Sequence, residues 1–297
     1  MMRYFVSLAL LLMFTACGGP PAPSGPALVV YATLDDPANL SELFVAFTAQ
    51  TGIPVAANWG DSLANTEAVI GNRGLAADVL ITTNVADIWR AGERGALRPL
   101  HGDAFAAVHN EFKDPDALWV ALQRRVVVIA IPLNSQKELA GGYAALAGKM
   151  YRDQLCLSSI ENSSNQSMIA MLIEDLGLKP AERVVRGWMM NMAVPPFATE
   201  ALLVAALESG ICKLGIISGS AAAVGIKNVE PVPAYYGISA MGVGRHANNP
   251  ERAQQLIDWL ILNKPVGGAL HSNGRNIGVA GWRNEDVLLL AERVGYN

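Results

Sequence analysis

Leu28-Val29-Val30-Tyr31, then Asp35-Asp36-Pro37, then Leu40, Leu43, Phe44 and Phe47 form the stretch that decides the fold class. Four apolar residues in a row read as a buried strand. Asp-Pro supplies a helix cap and a first-turn proline, and the four later apolar residues recur at helical spacing. Gly52 ends that helix and Ile53 to Ala57 reads as a second strand. Ala77 to Thr82 is a third strand, and Val85, Ile88 and Trp89 mark a helix that Gly95 stops. Strand alternating with helix across short connections predicts an α/β layer with a largely parallel sheet. Ligands in such layers sit at the carboxyl ends of strands, which points to Thr33 through Asp36, with Asp35 as a candidate contact, and to Thr82 through Asn84, with Thr83 and Asn84.

Further along, Trp119 to Leu122 and Val126 to Ile131 read as two buried strands, and Gln123-Arg124-Arg125 between them as a crossover into a second lobe. Leu155 to Leu157 is a strand, and Asn162 to Ser167 is a polar, cap-rich run that opens a helix through Met168, Met171 and Leu172. Pro180 starts another helix, Leu202, Leu203 and Ala206 lie on a third, and Leu214 to Ile217 is a strand entering Ser218-Gly219-Ser220. Tyr235 to Val243 returns to the first lobe. Helices then follow through Ala253 to Leu260 and Val287 to Val294. The expected division places lobe 1 at residues 27–122 and 237–297, with part of the C-terminal segment packing on lobe 2, and lobe 2 at 123–236.

The chain has 297 residues, 52% hydrophobic and 16% charged, enough apolar material for one large or two medium domains. A net charge of −4 without a Lys/Arg cluster excludes a nucleic-acid partner on electrostatic grounds. At the N-terminus Met1-Met2-Arg3 precedes an apolar run from Tyr4 to Phe14. That run is shorter than the roughly 20 residues a spanning helix needs and reads as a signal peptide, residues 1–16. Phe14-Thr15-Ala16-Cys17 resembles a bacterial lipobox, with Phe14 where Leu is more usual, so Cys17 is the expected lipidation site. Residues 17–26, rich in Gly and Pro, form the tether. An exported chain meets an oxidising compartment, which makes Cys156 and Cys212 a candidate disulfide. Without a nearby His or a CxxC spacing they make a poor zinc site.

The ordered series Leu28 to Tyr31, Gln50 to Val55, Ala77 to Thr82, Asp114-Pro115-Asp116 before Trp119 to Leu122, Asn165-Gln166-Ser167, Pro195-Pro196 and Ala291 to Tyr296 resembles periplasmic solute-binding proteins of ABC importers, in the ferric-ion-binding branch. The resemblance implies two α/β lobes of the type II periplasmic-binding-protein kind, joined by hinge strands around a ligand cleft. It implies a small-molecule ligand, an ABC permease with its ATPase as partners, and a monomer held by an N-terminal lipid on the periplasmic face of a bacterial membrane.

The branch's iron chemistry does not carry over residue by residue. Adjacent tyrosines usually follow the strand matching Leu214 to Ile217, where this chain has Ser220-Ala221. Ser164 stands where another tyrosine is found, Asp35-Asp36 where some members carry His-Tyr, and Thr83 near a family carboxylate. A small anionic or zwitterionic solute is therefore expected, with no resident metal and no cofactor. The surviving feature is Ser163, Ser164 and Asn165 at a helix N-terminus, whose free amides and dipole suit an anion. Glu200, Ser218 and Ser220 border the same region, and only one of Tyr235 and Tyr236, taken as Tyr236, faces the cleft from a strand. Two other readings stand beside this one: iron held through an accompanying anion and carboxylates, and a sensor or partner-binding lipoprotein whose cleft is unused.

Catalysis is not expected. His101, His109, His246 and His271 make no HxxxH pair and none sits beside Cys. Gly142 to Lys149 misses a phosphate loop by one residue, with Met150 in place of Ser or Thr. Gly237 to Gly242 misses the GxSxG elbow by one residue.

Overall fold

The computed structural model describes residues 25–33, 37–135, 141–219, 224–264 and 276–297. The expected signal peptide, Cys17, Asp35 and Ser220 lie outside them. In the first half β1 (Leu28–Ala32), α1 (Pro37–Thr51), β2 (Val55–Trp59), α2 (Ser62–Ile70), β3 (Val79–Thr82), α3 (Val85–Glu93), β4 (Leu97–Arg98) and α4 (Asp103–Ala107) follow in order. One long strand, β5 (Val120–Pro132), leads to β6 (Leu155–Cys156), α5 (Ser163–Leu176), α6 (Leu178–Met190), α7 (Glu200–Glu208), β7 (Leu214–Ser218) and β8 (Ile226–Val229). Then β9 (Tyr236–Gly244) returns, followed by α8 (Pro250–Asn263), α9 (Val279–Trp282) and α10 (Asn284–Val294).

The strand order is β2-β1-β3-β9-β5-β7-β6, with β4 on β9 and β8 on β5. β1 runs parallel to β2 and β3, and β6 parallel to β7. β9 and β5 enter antiparallel. Burial on both faces explains the unbroken apolar strands of the first half. Val30, Ala32, Val79 and Ile81 pack on Leu40, Phe44 and Phe47 of α1 and on Leu256, Ile257 and Leu260 of α8. The opposite-facing Tyr31 and Leu80 pack toward Val69 of α2 and Val85 and Ile88 of α3. Buried Asp78 fixes this half's edge, accepting from Val29 N at 2.8 Å and from Asn249 N, just before α8, at 2.9 Å.

The two apolar runs on either side of Gln123-Arg124-Arg125 form one strand, not two. Residues 120–126 of β5 pair with β9, whereas Val127 to Ala130 pair with β7, and a bulge between Ala121 and Gln123 absorbs the change of twist. The polar triplet therefore lies in the strand that joins the sheets, and its backbone is satisfied by β9. In the second half Val127, Ile129 and Ile131 face Met168, Met171 and Leu172 of α5 and Val185 and Trp188 of α6. The C-terminal α9 and α10 pack on this half: Val279, Val287 and Leu290 join the same core, and Tyr296 Oη donates to Ser158 O at 2.7 Å.

Cys156 and Cys212 form a disulfide with both residues fully buried. It ties β6 to the segment that feeds β7, beside Leu203 and Leu207 of α7. The bridge spans a sequence separation of 56, so its loss frees a long loop in the unfolded chain. Replacing both cysteines by Ala is expected to lower the free energy of unfolding by about 4 kcal/mol, read from urea titrations of both chains.

Candidate functional site

A cleft of about 950 Å³ opens between the halves. Four side-chain-capped helix N-termini converge on it, beside Asn284 at the start of α10, and each cap is a residue type that sequence favours there. Asp61 caps α2 by accepting from Ala64 N, Asn84 caps α3 by accepting from Asp87 N, Asn162 caps α5 by accepting from Ser164 N, and Thr199 caps α7 by accepting from Leu202 N. Thr83, Asn84, Ser163, Ser164, Glu200 and Ser218 all line this cleft, so the structure brings together six residues singled out from sequence. Three others stand apart. Thr33 uses its hydroxyl on Gly60 O at 2.7 Å. Asn165 is buried behind the lining and donates to Ser158 O, Ser158 Oγ and Ser159 O, fixing the turn before α5. Tyr236 is 6% exposed and lies under the guanidinium of Arg124, whose carbon is 4.4 Å from the ring centre.

The helix ends differ in charge. α2 has Asp61 as its cap, α3 has Asp87 in its first turn and α7 has Glu200, so each carries a carboxylate against its dipole. Glu200 is held in place, accepting from Ser218 N at 2.8 Å and from Ser218 Oγ. α5 has no acidic residue at its cap or in its first turn. Instead Arg125, 6% exposed, reaches that end: one terminal nitrogen donates to Ser163 Oγ at 3.4 Å and to Thr83 O, from the other half, at 3.3 Å. Glu161 lies one residue before the α5 cap, exposed in the cleft wall.

Sequence reading missed Arg125, Asp61, Asp87 and Arg90. The available signal for Arg125 was a polar triplet inside an otherwise apolar strand. Asp87 is buried, and burial raises its carboxyl above the usual range, opposed by Ser62, Arg90 and Asn84. Arg90 stands 3.9 Å from it.

No tyrosine or histidine is among the described cleft-lining residues. Six of the chain's 7 tyrosines lie in described residues, and each is 6% exposed or less. Burial pushes the phenols of Tyr143 and Tyr296 well above their ordinary range, away from the tyrosinate form. Among the described residues no group of three or more His, Cys, Asp or Glu is placed to hold a metal ion.

The profile of the family described as "Bacterial extracellular solute-binding protein" matches residues 28–274. The chain belongs to that family. Iron uptake protein A1 of Synechocystis is 27% identical over 254 residues, covering 78% of this chain and 70% of that protein. Among solved structures, an iron- and citrate-bound Trichodesmium protein superposes with a TM-score of 0.82 at 23% identity, over 92% of this chain and 100% of that one. A ferric binding protein from Campylobacter jejuni gives a TM-score of 0.81 at 16% identity, over 91% and 100%. The expected two-lobed fold and the resemblance to the ferric-ion-binding branch are thus met by the comparisons. As a solute-binding protein the chain works outside the cytoplasm with an ABC permease and ATPase and is not a catalyst.

Two variants probe the site's construction. At Gly237 an added Cβ would lie 2.3 Å from Ser164 Oγ and 3.1 Å from its Cα. Gly237→Ala is expected to displace the start of α5 and cost about 1–3 kcal/mol in urea unfolding. Asp87 binds its proton more tightly folded than unfolded, so its contribution to stability falls as pH rises above the unfolded value of 3.8. Asp87→Asn is expected to be more stable than the parent at pH 7, with the difference shrinking toward pH 4 in parallel denaturation curves.

Proposed function

We propose that this solute-binding protein is a lipid-anchored extracytoplasmic component of an ABC importer whose cleft takes a small anionic or zwitterionic solute. One observation carries the reading: α5 presents the only cleft-facing helix N-terminus, among the described residues, without its own carboxylate, and Arg125 stands beside it. A guanidinium and the positive end of a helix dipole recognise a carboxylate or phosphate oxygen. Glu161, at the opening of the same turn, suits the ammonium group of a zwitterion. Because Arg125 already contacts Thr83 of one half and Ser163 of the other, an oxyanion bound there engages both at once and favours a closed cleft. The lipobox-like Phe14 to Cys17 and the tether that follows support anchoring through Cys17.

The names of the relatives favour a second reading, in which iron is the cargo. It would need an accompanying anion at Arg125 and α5, with carboxylates such as Asp35 in place of the absent tyrosines.

Thermal unfolding with amino acids, organic carboxylates, phosphate and ferric citrate added singly separates these readings. A cognate solute at about a hundred times its dissociation constant raises the midpoint by about 2–4 °C or more. Arg125→Met is expected to abolish that rise. A rise confined to ferric citrate supports iron as cargo. A rise that persists in Arg125→Met removes the basis of both readings.

A further inference from the structure

Arg124 and Arg125 are neighbours in β5 beyond its bulge, so their side chains leave on opposite faces. Arg125 donates to Thr83 and Ser163, two residues that line the cleft. Arg124 is packed between aromatic rings, its guanidinium carbon 4.4 Å from the Tyr236 ring centre and 5.9 Å from that of Phe112. Both of its terminal nitrogens are buried, and neither has a hydrogen-bond partner among the described residues. An Arg cannot shed its proton to escape this position. Ring faces attract the cation but offer no lone pair to its N–H groups, so a buried charge is left with its fork unmet. Such an arrangement is costly unless a partner completes it.

Space for a partner adjoins it. A pocket of about 370 Å³ is lined by Arg124 together with Gln123, Arg125, Gly219, Asn228 and Glu230, among others. Two parallel N–H donors on a planar cation match a carboxylate or phosphate edge in bidentate fashion, and the amides of Gln123 and Asn228 add donors of the same kind. The carboxylate at the rim, Glu230, makes no ion pair of 4.0 Å or less with Arg124 among the described residues.

We infer that this hinge pocket is a second ligand site, specific for a small oxyanion, carboxylate or phosphate, captured by the fork of Arg124. Capture requires the side chain to turn from the Tyr236 ring into the pocket it already lines, since both nitrogens are covered. Arg124 and Tyr236 belong to the two strands that connect the halves, so occupancy of the pocket bears on how those halves move. The site does not depend on the identity of the solute in the main cleft.

Inorganic phosphate is the probe. In ¹⁵N-arginine side-chain spectra of the unmodified protein, Arg124 reports on the hinge pocket, whereas Arg125, which borders that pocket and donates to Ser163 and Thr83, reports on both cavities. Phosphate is expected to shift the Arg124 resonances saturably, whatever Arg125 does. Arg124→Met keeps the packing on the rings and removes the fork. It is expected to unfold at the same temperature as the parent or higher without phosphate, and to lose the phosphate-dependent rise of about 2–4 °C that the hinge site supplies. Glu230→Gln, which removes a like charge beside the anion, is expected to tighten phosphate binding several-fold. Arg124 resonances unmoved at saturating phosphate, or a full thermal response retained in Arg124→Met, would overturn the assignment. Movement of Arg125 alone would overturn it too while leaving the cleft reading intact.

Discussion

A single strand has to satisfy two sheets at once, and the rest of the molecule is arranged around that demand. β5 gives its first residues to β9 and its last to β7 and β8. A partner strand therefore accompanies it along nearly its whole length, and at Ile129 and Ala130 on both sides. Side chains at the handover point cannot belong wholly to either core, and there the chain places Gln123, Arg124 and Arg125. The polar triplet is tolerated because the strand's own hydrogen bonds do not depend on it. Having the two arginines on opposite faces gives each side of the connection its own cation.

The cleft follows from how that strand aims the helices. β2, β3 and β6 end toward the gap, and the helices that follow them, α2, α3 and α5, aim their N-termini into it, as does α7 just ahead of β7. Three of the four converging helix ends carry a carboxylate, which neutralises the local field and leaves a directional preference at α5 alone. On the proposed reading selectivity arises by subtraction: the helix-end potential is offset at α2, α3 and α7 and left at α5. Glu200 illustrates the economy, because one carboxylate complements the α7 dipole and fixes Ser218 at the end of β7.

Much of this was legible from residue order. The Asp-Pro and glycine punctuation located α1 and its end, the period of apolar residues located α5, α7, α8 and α10, and the strand-end rule reached Thr83, Asn84 and Ser218. The paired cysteines met as considered. What sequence concealed were relations across long separations. Whether Val120 to Leu122 and Val126 to Ile131 were one strand or two depended on β9 covering the polar residues between them, more than a hundred positions away. Arg125 became a site residue only because Thr83 and Ser163 arrive from different halves. Tyr236 looked available on the alternation of a strand, but the strand's face is occupied by Arg124, a packing fact that alternation does not encode.

The contact between Tyr296 and Ser158 carries a meaning of another kind. The turn that prepares α5 is held from within by Asn165 and from outside by Tyr296, just past α10. The cleft wall at α5 is thus braced by a residue 138 positions away in sequence. A change at Tyr296, remote from every cleft-lining residue, is therefore felt at the ligand face rather than at the edge of the fold.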